Sequence, residues 1–292
     1  MSRLPITKTP KVYVGGAFIR SESSRVFPIA DSSGNFFANI PQCTRKDVRN
    51  AVEAAAKAGP GWAKRTAYNR GQILYRLGEM LEARSAEMTA AILVGAPSSP
   101  RNRAKAAEEV SATIDRLIYF AGWADKYEQL LGNVNPVAAP YFNFTVTEAM
   151  GVIGVLAPST PSLLGLVSLI APAITSGNTV VALASAKFPY PSILLGEMLA
   201  TSDLPGGVVN LLTGFRKEII PTFATHTHFR AIVGVADADE RKAIKLGAAA
   251  SVKRTRLMKS EDRIDWLAEN AQSLESIRDT LEFKTTWHPI GS

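Results

Sequence analysis

The sequence predicts a doubly wound α/β fold, in which helices cover both faces of a mostly parallel β-sheet. The prediction rests on residues 151–214, which carry almost no charge and alternate short β-branched runs with longer segments of helical length. Near-continuous apolar strands joined by helices are what a parallel sheet buried on both faces requires. Pro158, Pro161 and Pro172 divide this stretch into pieces too short to cross a bilayer.

The strands of this sheet are predicted from their β-branched composition. Residues 152–156, 179–181 and 208–212 form three such runs, each separated from the next by enough residues for a helix. The same rhythm continues with a helix over 217–225 and a strand over 231–235. A helix capped by Asp237 follows, and then a strand over 252–257.

The segment before this core reads as two strand pairs followed by helices. Residues 12–19 predict a hairpin that turns at two glycines, and residues 26–29 and 36–40 predict a second pair. Thr44 caps a helix that is predicted to stop at residues 59–61. One long amphipathic helix is predicted from Ala67 to about Val94, and another follows Pro100.

Two segments near the core alternate apolar and polar residues with the period of a half-buried strand. They are residues 142–147 and residues 283–289. Between the core and the second of these, residues 260–280 are predicted to form one amphipathic helix. Its apolar face would carry Ile264, Leu267, Ala271, Leu274, Ile277 and Leu281.

Composition excludes some classes of protein and leaves others open. The chain has 292 residues, 46% of them hydrophobic, enough for one large core or two smaller ones. The net charge of +7 fits a nucleic-acid or acidic-membrane surface, but no long run of like charge occurs, which favours ordinary solvated helix faces. One cysteine excludes an intrachain disulfide, and the N-terminus lacks the apolar core of a signal peptide. We expect a cytoplasmic protein without a membrane or nucleic-acid partner.

Several short motifs occur in one order along the chain. They are G-W-A at 61–63, N-R-G-Q-I-L at 69–74, Y-F-A-G-W-A-D-K at 119–126, A-P-A at 171–173, S-G-N-T-V-V at 176–181 and P-G-G-V-V-N at 205–210. This order resembles the aldehyde dehydrogenase superfamily over residues 12 to about 257 and again from 282. The sequence overall is similar to the second, degenerate module of the family 16 two-module aldehyde dehydrogenases.

The resemblance implies a domain organisation. Residues 1–133 and 149–259 would form a Rossmann-like nucleotide-binding domain with an N-terminal helical segment. Residues 134–148 and 282–290 would form a protruding β oligomerisation element. The helix predicted at 260–281 would stand where a complete member carries its catalytic domain.

The resemblance also implies where catalytic groups should lie. Aldehyde oxidation needs a thiolate nucleophile, a carboxylate base and an amide in the oxyanion hole. The only cysteine, Cys43, precedes the first long helix, Thr160 matches the oxyanion asparagine, and Met258 matches the base. Although the nearby helix N-terminus could lower its pKa slightly, Cys43 is interpreted as structural. No catalytic residue is expected, so the chain is expected to be a pseudoenzyme.

The cofactor contacts implied by the resemblance are also replaced. Leu183 and Ala186 match the two residues that hold the adenosine ribose, and Val235 matches the serine at the pyrophosphate; Lys187 could substitute through a shift by one position. Each lost contact leaves a polar group of the dinucleotide unpaired, at a cost of roughly 1–3 kcal/mol. We therefore expect no cofactor, with NAD or NADP binding at most weakly. The degenerate pocket would comprise Ser159, Thr160, Leu183, Ala186, Gly214 and Val235. His226 and His228 have no acidic or thiol partner at metal spacing, so no metal site is predicted.

The two predicted strands with alternating apolar and polar residues suggest that the chain binds a protein partner. An exposed strand pair of this kind is an aggregation liability unless something covers it. The predicted interface residues are Phe142, Phe144, Val146, Phe283, Thr285 and Trp287. The first hypothesis is a non-catalytic subunit that docks on a full-length aldehyde dehydrogenase, on a second copy of itself, or on both. The alternatives are strands that fold back on their own domain, an NAD(P)-dependent enzyme completed by another chain, and a basic binding module.

Overall fold

The computed structural model describes residues 8–260, 262 and 264–291. Its strands, in chain order, are β1 (Val12–Val14), β2 (Ala17–Ile19), β3 (Val26–Ala30), β4 (Phe36–Pro41), β5 (Asn133–Asn135), β6 (Tyr141–Ala149), β7 (Val152–Leu156), β8 (Thr179–Leu183), β9 (Val209–Leu212), β10 (Phe229–Ala236), β11 (Arg254–Lys259) and β12 (Leu281–Pro289). Its helices are α1 (Arg45–Ala63), α2 (Ala67–Ala83), α3 (Ser85–Ile92), α4 (Pro100–Trp123), α5 (Tyr127–Leu131), α6 (Leu164–Thr175), α7 (Tyr190–Thr201), α8 (Arg216–Thr225), α9 (Ala238–Ala249) and α10 (Leu274–Arg278).

Within the described part of the chain, seven strands form the main sheet in the order β11-β10-β7-β8-β9-β1-β2. The five strands from β11 to β9 run parallel. The chain moves outward from β7 through β8 to β9 and then returns to the other side of β7 with β10 and β11. The predicted doubly wound α/β fold is therefore confirmed, and its topological switch point lies between β7 and β10.

Apolar clusters on both faces of the main sheet explain why its strands are almost uncharged. On one face α2, α4, α6 and α7 bury a cluster that includes Leu74, Phe120 and Ile174. On the other face α1, α8 and α9 bury a cluster that includes Val52 and Phe223. Every residue of β7, β8 and β9 is buried.

Helix α1 extends past the predicted stop at residues 59–61. It continues through Pro60 to Ala63, after a capping box formed by Thr44 and Asp47. Trp62 is the reason: its indole is 1% exposed and its Nε1 donates a 2.9 Å hydrogen bond to the carbonyl of Ile174 on α6. The Trp62 hydrogen bond compensates for the backbone hydrogen bond that Pro60 cannot donate within the helix.

The single helix predicted from Ala67 to Val94 is two helices, α2 and α3. The chain leaves helical geometry at Arg84, where φ is −117° and ψ is 22°. The Arg84 guanidinium reaches Glu87 in α3 at 2.7 Å and Glu197 in α7 at 2.8 Å. A continuous helical pattern does not reveal such a break, because both helices bury apolar residues in the same cluster.

The single helix predicted over 260–281 is also wrong. The described residues of this segment contain a 3₁₀ turn (Glu269–Ala271) and the short helix α10. The carbonyls of Trp266 and Ala271 accept hydrogen bonds from Arg116 on α4, both at 2.9 Å, so these groups serve a tertiary contact rather than a helical ladder. Residues 264–280 are called the strap below.

A second sheet lies apart from the main one, with the order β12-β6-β5 among the described strands. The strands β6 and β12 pair antiparallel along their full length, from Leu281 opposite Ala149 to Pro289 opposite Tyr141. Both strands predicted from the alternating pattern are therefore present.

Candidate functional site

A cavity of about 520 Å³ lies where β7 and β10 end, at the switch point of the main sheet. Ligands of open α/β sheets bind at this place, outside the carboxyl ends of the strands. Gly234 in β10 has a φ of +141°, and a Cβ there would lie 2.2 Å from the carbonyl oxygen of Leu156. Glycine thus allows β10 to approach β7 closely beside the cavity.

The Arg216 guanidinium bridges the ends of the two strands. Arg216 is the first residue of α8, and it donates to the carbonyls of Ala157 at 3.1 Å and Val235 at 2.5 Å. Its Nε and Nη2 also reach the two carboxylate oxygens of Glu240, at 2.8 and 2.9 Å. About one-fifth of each side chain is exposed, so this bidentate pair is partly shielded from water.

Two backbone N–H groups at the beginning of α9 are already hydrogen-bonded to the carboxylates of Asp237 and Glu240. The backbone N–H of Glu240 donates to Oδ1 of Asp237 at 2.8 Å, and the N–H of Asp237 donates to Oε2 of Glu240 at 3.1 Å. A helix N-terminus ordinarily attracts anions through such amides. A phosphate group entering here would have to displace Glu240 from Arg216, so the residues as arranged do not form a ready-made pyrophosphate cradle.

The six predicted pocket residues divide into two sets. Ser159, Thr160 and Val235 line the cavity. Leu183 is fully buried in β8, Ala186 lines a separate cavity of about 250 Å³, and Gly214 packs against the backbone of Cys43. Of the six predicted residues, the cavity therefore unites the three at the ends of β7 and β10, and it leaves out Leu183, Ala186 and Gly214.

Several residues of the cavity escape sequence reasoning. Asp237 is predicted only as a helix cap, and no pattern links Arg216 to Glu240 because 24 residues separate them. Trp266 also lines the cavity, although the amphipathic pattern does not include it. The one available signal is position, because Arg216 and Asp237 each follow directly on the end of a predicted strand or its turn.

Cys43 is not placed to act as a nucleophile. It is fully buried, and its backbone N–H donates to the carbonyl of Thr213 at 2.9 Å. Burial, reinforced by the Asp47 carboxylate, raises the pKa of its thiol to about 12. Its side chain belongs to the apolar cluster under α1, α8 and α9. This cluster lies on the opposite face of the main sheet from the cluster under α2, α4, α6 and α7. The interpretation of Cys43 as structural fits this environment.

A partly buried acid caps the start of α6. Oε1 of Glu109 on α4 accepts hydrogen bonds from the backbone N–H groups of Leu163 at 2.8 Å and Leu164 at 3.2 Å. Burial raises the pKa of Glu109, and these two hydrogen bonds counteract part of the increase. The carboxylate therefore caps α6 and satisfies two of the backbone amides at its start.

The predicted interface residues occupy two opposite faces of the second sheet. Phe142, Phe144 and Val146 pair with His288, Thr286 and Lys284, so these six side chains share one face. The other face carries Phe283, Thr285 and Trp287 opposite Thr147, Thr145 and Asn143. Trp287 is 58% exposed and contacts Tyr141 edge to face with ring centroids 5.8 Å apart. Each face therefore presents its own aromatic group to solvent.

Comparison with known proteins assigns the family. The model of the aldehyde dehydrogenase family matches residues 18–282. The chain belongs to the aldehyde dehydrogenase family. It is 32% identical to retinal dehydrogenase 2 of Gallus gallus over 84% of this chain and 47% of that protein. It is 28% identical to the mitochondrial aldehyde dehydrogenase of Rattus norvegicus over 90% of this chain and 53% of that protein. The chain thus spans about half the length of the curated relatives it matches.

The solved structures share the fold. The NAD+ complex of aldehyde dehydrogenase from Bacillus cereus matches with a TM-score of 0.80 and 22% identity, over 86% of this chain and 51% of that one. The structure of 3,6-anhydro-L-galactose dehydrogenase in complex with NAP matches with a TM-score of 0.79 and 20% identity, over 86% of this chain and 52% of that one. These complexes overturn the expectation of no cofactor. That expectation rested on a few side chains, whereas a dinucleotide spans an entire crevice and also uses backbone groups.

Two further features bear on the class of protein. No helix in the described ranges is long and apolar enough to cross a membrane. His226 and His228 lie beside each other, with ring centroids 5.6 Å apart, and burial lowers the pKa of His226. Among residues 8–260, 262 and 264–291, no group of three or more metal-ligating side chains comes together.

Proposed function

We propose that this chain is a subunit of an aldehyde dehydrogenase assembly that supplies a docking sheet and a nucleotide-binding type of domain but no catalytic thiol. The observation that carries the proposal is the environment of Cys43, the single cysteine, which is fully buried with its thiol pKa at about 12. A thiol in that state does not attack an aldehyde carbonyl. The nucleophile would come from the partner.

The second sheet, formed by β5, β6 and β12, is the docking element of this proposal. Apolar side chains stay exposed on both of its faces: Phe142 is 45% exposed and Trp287 is 58% exposed. Such clusters are typical of protein–protein contacts. The strand β12 pairs with β6 along one edge and would accept a partner strand along the other.

The test is the assembly state of the purified chain, alone and mixed with a full-length aldehyde dehydrogenase of the same organism. Size-exclusion chromatography with light scattering should detect a complex that Trp287→Glu and Phe142→Glu weaken. Tyr75→Glu is the matched control, because Tyr75 is 52% exposed on α2, away from the second sheet. A monodisperse monomer that binds no partner would contradict the proposal.

A second candidate is an NAD(P)-dependent oxidoreductase whose active site is completed by another chain. The cavity at the switch point favours it, since this is where the fold class binds nucleotides. Arg216 would then exchange Glu240 for a phosphate, and the hydroxyls of Ser159 and Thr160 would bind polar groups of the dinucleotide. The cofactor would accept hydride from the substrate.

Calorimetry with NAD+ and NADP+ tests this candidate. Binding that Arg216→Gln abolishes and Arg241→Gln preserves would support it. Dinucleotide binding that is indifferent to Arg216→Gln would refute the assigned site.

A further inference from the structure

The strap runs along one side of the main sheet, from beyond the carboxyl end of β11 to Asn178 at the amino end of β8, and it borders two cavities. One is the cavity of about 520 Å³ at the switch point, and the other is a cavity of about 650 Å³ between α6, β11 and the strap. Among the described residues, Ile264 and Trp266 are the two that line both. Each cavity has the size of a small-molecule site, and these two side chains form the wall between them.

The wall is held by a buried guanidinium. Arg116 on α4 is 3% exposed, and it donates to the carbonyls of Trp266 and Ala271 and to Oε1 of Gln272, each at 2.9 Å. Its fourth acceptor is Oγ of Ser168 on α6, at 2.7 Å. Three of these four acceptors belong to the strap. Because a buried charge is costly when it lacks acceptors, Arg116 strongly favours the state in which the strap is bound.

The two ends of the strap are fixed by different groups. At its C-terminal end, the carbonyl of Thr280 accepts a 2.8 Å hydrogen bond from Asn178, and Asp279 pairs with Arg256 at 3.1 Å. Neither contact involves Arg116. The N-terminal half depends on Arg116 and on Trp266, which is 6% exposed between Leu164 and Val235. The contacts that hold the N-terminal half are therefore separate from those that hold the C-terminal end.

We propose that the strap is a gate: bound to Arg116, it holds Trp266 as a wall between the two cavities, and its release joins them into one elongated crevice. The gate decides how long a ligand the crevice admits, whatever that ligand is. Arg116 acts as a positioning residue, since its hydrogen bonds go to the strap and not into either cavity. The gate is independent of the proposed subunit role, because it concerns the main sheet alone.

The test is hydrogen–deuterium exchange of the full chain, measured by mass spectrometry. In Arg116→Gln, amides of residues 264–272 should exchange at least tenfold faster than in the unmodified chain. Residues 274–280 and the helix α1 should keep their rates. Arg70→Gln is the matched control, because Arg70 is also a buried arginine (4% exposed) that donates to two backbone carbonyls, but at the C-terminal end of α6 and not to the strap.

The outcomes separate a gate from a simple loss of stability. Unchanged exchange in residues 264–272 would overturn the proposal, and so would a rise spread evenly over the chain. If Arg116→Gln fails to fold, Arg116→Lys keeps the positive charge with fewer donors, and its exchange should rise less but in the same residues. A rise elsewhere in Arg116→Lys would likewise overturn the proposal.

Discussion

Native Cys43 should be almost inert toward thiol reagents. Its thiol is fully buried, and the pKa of about 12 means that only about one molecule in 10⁴ carries the thiolate at pH 8. A thiol with an ordinary pKa near 8.5 is about one-quarter ionised at that pH. Since the thiolate is the reactive form, ionisation alone should slow the reaction by more than about 10³-fold. Burial slows it further, because the reagent must wait for the chain to open.

The raised pKa of Cys43 also determines how the stability of the chain changes with pH. A thiol whose pKa is raised in the folded state is neutral there, so it contributes no pH dependence of stability below the unfolded value of about 8.5. Above that pH the unfolded state loses its proton first, and stability falls as the pH rises toward 12. Replacing Cys43 with alanine should remove this contribution to the alkaline decline, whereas buried Tyr127, whose pKa is raised to about 12, should keep its own contribution at higher pH. The same change should cost about 1 kcal/mol at neutral pH, as for one lost buried methylene.

Labelling with an aromatic disulfide reagent at pH 8 measures the effect. Cys43→Ala with a new cysteine at Ser33, in an exposed turn, is the matched control and should react at the rate of a free thiol. The unmodified chain should react at that rate only in denaturant. Rapid labelling of the folded chain would refute the buried-thiol argument, and with it the main support for a subunit without its own nucleophile.

Three further predictions concern stability and are checked by urea unfolding. Val252 is 90% exposed with a φ of +53°, which is strained for a β-branched residue, so Val252→Asn should stabilise the chain by about 1 kcal/mol; an unchanged midpoint would contradict this. Asn178 is fully buried and joins Gly151 to Thr280, so Asn178→Ala should cost roughly 2–4 kcal/mol, and a cost near zero would mean that water replaces the amide. Because burial lowers the pKa of His226, the unfolded state takes up a proton first as the pH falls through about 6.5, and stability declines there. His226→Gln should show a smaller decline between pH 7.5 and 5 than the unmodified chain.

The core of the fold was predictable because burial on both faces leaves a strong pattern. Once its prolines exclude a membrane span, the uncharged stretch around β7, β8 and β9 predicts strands that are buried on both faces. The failures came where a long-range contact decides the local geometry. The chain leaves helical geometry at Arg84, whose guanidinium pairs with Glu197 on α7. Arg116 donates hydrogen bonds to strap carbonyls that would accept backbone N–H groups in a helix. No window of sequence contains both partners of either contact.

The candidate site was only partly predictable for the same reason. Ser159, Thr160 and Val235 were predicted because the resemblance aligns them with the family's oxyanion and cofactor motifs, and all three line the cavity. Arg216 and Glu240 were missed because their pairing depends on how α8 and α9 come together. Arg216 and Glu240 form an ion pair with each other at the cavity. A comparison of single positions with a family motif does not reveal such a pair.

The two outer edges of the main sheet differ from those of the docking sheet. At one side the sheet ends in β2, which has three residues, and at the other in β11, whose Arg254, Arg256 and Lys259 are exposed. Short strands and charged side chains both discourage another chain from extending a sheet. Both edges of the main sheet therefore discourage pairing with a second molecule. Pairing through the nine-residue edge strand β12, as proposed above, would leave the strands of the main sheet unchanged.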